Sequence, residues 1–179
     1  MFFTRVVIGL FEFTLAVVMS GTVIALTYRI FVHANPDFDM AAEIEKGNTA
    51  VGALMASIVF AASSILQHGM TSVVSMVRLY MQGPGQTQFS PFQLLMIAIA
   101  HLVVAMALAL LTISVTLRLF GRLTKPLRAG KELQRGNLAV GILLSSVVIV
   151  ASLFVGDGVS ALSKALVPQP TLGRVQILK

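Results

Sequence analysis

Four ionisable side chains stand inside or at the ends of otherwise apolar stretches: Glu12, His68, His101 and Asp157. When the chain is laid on itself with an offset of 89 residues, Glu12 pairs with His101 and His68 with Asp157. Each half thus holds one acid and one histidine at exchanged positions. A charge alone in hydrocarbon costs at least ~2.5 kcal/mol, so such residues persist where they are paired, hydrated or neutral. Helix direction places His68 and Asp157 near a mouth and Glu12 and His101 about 10 Å inside, at 1.5 Å per residue. Glu12 shares a face with Ala16, Ser20, Val23 and Thr27, and His101 shares one with Ala105, Ala109, Thr112 and Thr116. Both faces are expected to point into a bundle. Three uses of these groups stay open. Glu12 and a histidine can hydrogen-bond and fix the docking of the first helix on the second or third. The set can instead form a proton or cation pathway, because a carboxylic acid and an imidazole can hand a proton between them. The same polar face can also bind a cation, a lipid or a partner helix.

The elements that must position these residues follow from composition. Of the 179 residues, 56% are hydrophobic and 11% charged, where a soluble domain carries roughly 25% charged residues. With a mean hydropathy of +0.90, the chain is built for a bilayer. Val6–Tyr28, Asn48–Leu66, Phe92–Leu117 and Leu138–Gly156 are nearly free of charge, and each approaches or exceeds the ~20 helical residues that cross a hydrocarbon core. The first is read as a helix and not a signal peptide, because Glu12 interrupts its apolar run and no small-x-small cleavage pattern follows. The absence of cysteine excludes disulfides and thiolate metal sites. There is no phosphate loop, no His-Glu-x-x-His and no Gly-x-Ser-x-Gly, so no enzyme, cofactor or metal centre is expected. The net charge of +6 is assigned to membrane orientation and not to nucleic acid.

The offset of 89 also explains the number of spans. Residues 43–63 and 132–152 are identical at eleven of 21 positions, and Phe3, Ala16, Thr27 and Arg29 fall on Phe92, Ala105, Thr116 and Arg118. The expected fold is all-α: four transmembrane helices from an internal duplication, with two-helix repeats at residues 1–88 and 90–179. An even number of spans per copy makes the repeats parallel, about a pseudo-two-fold along the membrane normal. Amphipathic helical extensions are expected after the second and fourth spans, at Met70–Met81 and Val159–Val167. Gly83, Pro84 and Gly85 form the linker, and Pro168 and Pro170 end the last helix before a poorly ordered tail.

Each copy carries a Gly-Asn-x-Ala-x-Gly signature, Gly47-Asn48-Thr49-Ala50-Val51-Gly52 and Gly136-Asn137-Leu138-Ala139-Val140-Gly141. Asn48 and Asn137 stand where a helix N-cap accepts from orphan N–H groups. Gly52, Ala56, Val59 and Ser63, and equally Gly141, Ser145, Val148 and Ser152, form small-residue rows that let helix backbones approach. These paired signatures resemble the bacterial YjfL-like inner-membrane proteins, the domain of unknown function 350 family, over almost the whole chain. The resemblance implies a two-helix repeat and an inner-membrane location, and it implies no activity.

Loop charge sets the expected orientation. Arg118, Arg122, Lys125, Arg128, Lys131 and Arg135, with Arg29 and Lys46, put eight of the 13 basic residues on the face of the two inter-helix loops. That face is expected in the cytoplasm and both termini in the periplasm. The basic loop can also hold anionic headgroups at ~1 kcal/mol per residue. Asp37, Asp39, Glu43 and Glu45 lack the glycine and terminal acid of a calcium loop and are read as a solvated helix start, and His33 as an exposed loop residue. Four short helices enclose little volume. The expected function is a self-associating scaffold or an accessory subunit of a membrane complex. The alternative is a small proton- or cation-conducting oligomer using Glu12, His68, His101 and Asp157.

Overall fold

The computed structural model describes residues 2–33, 39–82 and 90–166. The expected linker at Gly83–Gly85, the terminus at Pro168 and Pro170, and Asp37 lie outside them, as do the side chains of His33 and Lys164. Among the described residues there is no strand. Four long helices, α1 (Phe2–His33), α3 (Thr49–Gln82), α4 (Pro91–Leu123) and α6 (Leu138–Leu166), are joined at one end by short ones, α2 (Met40–Glu45) and α5 (Ala129–Gln134). All four are long and apolar enough to cross a membrane.

Local sequence explains where the helices begin. Asp39 caps α2 by accepting from the N–H groups of Ala41 and Ala42. Ser90 opens α4 with a reciprocal capping box to Gln93, and Pro91 takes the first turn, where its missing N–H costs nothing. Gly47 (φ +80°) and Gly136 (φ +79°) precede the two Asn residues in the left-handed region. A side chain there would clash with its own backbone, so glycine makes the corner between short and long helix. The helical extension expected after Leu66 is continuous with the span itself. α3 runs on to Gln82 as one 34-residue helix, about 51 Å at 1.5 Å per residue, because Val73, Val74 and Met76 on its last turns are buried.

α3 is the hub, packed against α1, α4 and α6, with its most extensive contact to α6. More than half of its spanning window is buried, compared with 11% for α1, so α1 is a peripheral helix. Val51, Ile58, Ile65, Ile113 and Val148 fill the core. Lipid is as apolar as these side chains, so close backbone approach has to hold the helices together. Three glycines provide it. A Cβ on Gly141 would lie 2.7 Å from the Ala50 carbonyl oxygen, one on Gly69 would lie 2.8 Å from the Ala105 Cβ, and one on Gly156 would lie 2.8 Å from the His68 ring. The Ala50–Gly141 and His68–Gly156 approaches also show that α3 and α6 run parallel.

The two small-residue rows do not fare alike. Gly141, Val148 and Ser152 are buried and Ser145 is half-buried, whereas Ala56 and Ser63 are exposed, Val59 is half-buried, and a Cβ on Gly52 would meet nothing within 4 Å. Packing was expected from both rows, and within the chain it comes from the second. At this seam α6 meets a different face of α3, the one carrying Ala50, so the two halves do not join through matching surfaces.

Gly141→Ala is expected to destabilise the chain by about 1–3 kcal/mol, since backbone faces the added methyl. Within one chain a methyl at Gly52 meets no atom, so Gly52→Ala should leave the unfolding of the dissociated monomer unchanged or stabilise it by up to about 1 kcal/mol through helix propensity. Thermal unfolding in detergent followed by circular dichroism measures both, and equal losses would show that the seam is misplaced.

Candidate functional site

At the loop end, each half sets its asparagine on the glutamate of its short helix. In the first, Asn48 Oδ1 accepts from the N–H groups of Ala50 (3.1 Å) and Val51 (3.3 Å), while its Nδ2 donates to Glu43 Oε2 at 3.0 Å. Glu43 Oε1 accepts from Lys46 Nζ at 2.8 Å. In the second, Asn137 Nδ2 donates to Glu132 Oε2 and Arg135 donates to Glu132 Oε1, both at 2.9 Å. Only the first corner reaches across the molecule: Asn48 Nδ2 also donates to the carbonyls of Leu133 (2.8 Å) and Gln134 (3.4 Å) at the end of α5. Asn48 is therefore a cap and a tie between the halves. The Asn48 amide, followed by Lys46, holds the Glu43 carboxyl below its ordinary value of 4.5. Asn137 and then Arg135 do the same for Glu132.

At the opposite end, Glu12 faces Arg78, with Oε2 and Nη2 3.9 Å apart and both side chains about half exposed. An ion pair this open is worth ~0–1 kcal/mol. With Arg5, Ile8 and Gly9 the two line an open cleft of about 430 Å³ between α1 and α3. The expected hydrogen bond of Glu12 to a histidine gives way to this pair with an arginine. Arg78 was assigned to an interfacial extension, and the unbroken α3 carries it back alongside α1.

The depths also differ from expectation. Glu12 lies level with Arg78, ten residues or about 15 Å beyond His68 along α3. His68 has fourteen residues of helix beyond it, so it is deep and Glu12 is near the rim. His68 is half-buried, its Nδ1 2.9 Å from the Ser64 carbonyl oxygen. Gly156 packs on its ring, so the neighbouring Asp157 sits at the same level, but Asp157 is exposed on α6. His101 is half-buried on α4, one turn from the Ala105 that touches Gly69. Its face points inward as expected, with Ala105 and Ala109 buried and Thr112 and Thr116 half-buried. The face of Glu12 does so in part, with Ala16 half-buried, Ser20 exposed, and Val23 and Thr27 buried. The four groups are therefore distributed over the molecule and do not form one graded entry.

Arg118, Arg122, Lys125, Arg128 and Lys131 are all exposed along the end of α4, a 3₁₀ turn (Lys125–Leu127) and the start of α5. Arg128 (φ 46°) occupies the left-handed region and opens α5 without a side-chain cap, at the position where the first half has Asp39.

With this geometry in place, comparison with known proteins identifies a family. The family model described as Domain of Unknown Function (DUF350) matches residues 5–159. The chain belongs to that family. No curated protein and no solved structure matches it.

Asn48→Ala removes a cap worth about 1 kcal/mol together with the bonds to α5, and is expected to cost about 2–3 kcal/mol. Asn137→Ala, which removes the bond to Glu132, should cost about 1 kcal/mol. The depressed carboxyls fix a pH dependence. Their contribution is complete above the unfolded value near 4.5 and disappears as pH falls through the lower folded value. Unfolding temperature should therefore drop below about pH 4.5, and the Glu43→Gln/Glu132→Gln variant should drop less. A parallel decline in both proteins would remove these corners as the acid-sensitive element.

Proposed function

We propose that this protein is a self-associating scaffold, or an accessory subunit, of a membrane complex and not an enzyme. In this reading it lies in the bacterial inner membrane with α2 and α5 in the cytoplasm and both termini in the periplasm. The observation that carries the reading is where the packing and polar groups lie. The α3–α6 centre is closed by Val51, Ile58, Ile65 and Val148, each 0–1% exposed, while Glu12 and Arg78 pair at the rim. Glu43, Asn48, Glu132 and Asn137 serve the loop-end corners, and Glu12 and Arg78 form a half-exposed ion pair. Away from the loop end, the buried polar side chains among the described residues are the hydroxyls of Thr27, Ser57 and Ser152, on α1, α3 and α6. The exposed strip from Arg118 to Lys131 supports contact with anionic headgroups at the cytoplasmic surface, each cation adding about 1 kcal/mol.

A second reading draws on the open cleft at Arg5, Glu12 and Arg78: several copies could line a proton or cation path with Glu12 at its entrance and His68, His101 and Asp157 deeper. Flux separates the two. Purified protein in liposomes is expected to leak no more protons or potassium than empty vesicles, and Glu12→Gln should leave that baseline unchanged. A leak abolished by Glu12→Gln with the assembly intact would replace the scaffold reading with the channel. Orientation is tested independently. The chain has no cysteine, so Pro126→Cys should react with an impermeant maleimide in inverted vesicles and not in intact spheroplasts.

A further inference from the structure

The seam between α3 and α6 joins two stretches of matching sequence through different faces. The α3 face bearing Ala50, Leu54, Ala61 and His68 meets the α6 face bearing Gly141, Val148, Ser152 and Gly156, and the first residue of each row is in close approach. Each helix has a counterpart of the face that its partner uses. On α6 the counterpart of the Ala50 face is Ala139, Leu143, Val150, Phe154 and Asp157, all exposed. On α3 the counterpart of the Gly141 face is Gly52, Ala56, Val59, Ser63 and Gln67, which is open or half-buried. The chain therefore ends, on opposite sides, in the two halves of an interface that it already makes once.

We propose that a second copy of this chain docks its Gly52 face on the Ala139 face of the first, repeating the α3–α6 seam between molecules. This deepens the scaffold reading and rests on its self-association. A contact made by different faces is heterologous, so each added copy presents the same open face again, and the series closes into a ring where the rotation between copies divides a full turn. Parallel α3 and α6 keep every copy in the same orientation across the bilayer.

Two further features fit this occupant. Asn48 ties the halves through the carbonyls of Leu133 and Gln134. Its counterpart Asn137 is exposed, and the counterparts of those carbonyls belong to Ile44 and Glu45, beside the Gly52 face. Between copies, Asn137 donates to Ile44 and Glu45. Asp157, exposed on a membrane-spanning helix, has no hydrogen-bond or ion-pair partner among the described residues. Lipid makes that costly. Within the chain His68 lies on Gly156, and the same register between copies sets Asp157 against Gln67, whose amide donates to the carboxylate.

Cysteine crosslinking in native membranes tests the register. The double variant Gly52→Cys/Ala139→Cys should give, on mild oxidation, a ladder of covalent multimers ending in one closed species, while each single variant gives none. In detergent, Gly52→Leu and Ala139→Leu should each lower the particle mass to that of the monomer. The unfolding temperature of that monomer should stay within a few degrees of the wild-type value. A disulfide dimer from Gly52→Cys alone would mean that like faces meet and would overturn the proposal. Wild-type oligomers with no 52–139 crosslink and no response to either leucine would reject this face while leaving self-association standing. A wild-type protein that is monomeric in membranes would reject both.

Discussion

The approach of α6 to α3 at Gly141 is the constraint on which the rest of this structure depends. In water, burial of Val51, Ile58 and Ile65 would drive collapse by itself, but lipid supplies no such drive and leaves only van der Waals contact and hydrogen bonds. Contact at backbone range requires that one side have no Cβ, and Gly141 against the Ala50 carbonyl is that place. Once the two helices touch there, Asn48 comes within reach of the α5 carbonyls, and Gly156 settles on His68 further along. Gly69 uses the same device to bring in α4.

The loop-end corners show how a few residues can perform several tasks. In the first half, Asn48 starts α3, satisfies Glu43 and joins the other half, and all five bonds come from one amide side chain. Its counterpart Asn137 keeps the bond to the acid of its own short helix, Glu132, without a bond to the other half. Local sequence dictates the corner, and the neighbour determines what else the corner holds.

The same distinction explains which parts could be read from sequence. Four spans and the Gly-Asn corners were legible because hydropathy and capping act over a few residues. The Ser90-Pro91-x-Gln93 box was equally local and was passed over in favour of a span starting at Phe92, although its spacing could have placed the helix start. By contrast, Gly52 and Gly141 have near-identical surroundings in sequence, and no pattern along the chain says which one meets a backbone. Arg78 interrupts the apolar run from Met70 to Met81, and a charge there makes the sequence read as an interfacial extension. Buried Val73 and Met76 carry α3 past that point and bring the guanidinium to Glu12, a pairing between residues 66 positions apart.

The 34-residue α3 has a mechanical consequence. A helix of about 51 Å exceeds a hydrocarbon core of about 30 Å, so it must lean, project beyond the lipid, or thicken the bilayer around it. As the hub of the fold, α3 cannot lean without α6 and α4 following, because both are locked to it at glycine contacts. Bilayer thickness therefore acts on the bundle as a unit. The loosely held α1 is the helix with freedom to adjust, and the rim cleft between α1 and α3 is where a change in membrane thickness would open or narrow the protein.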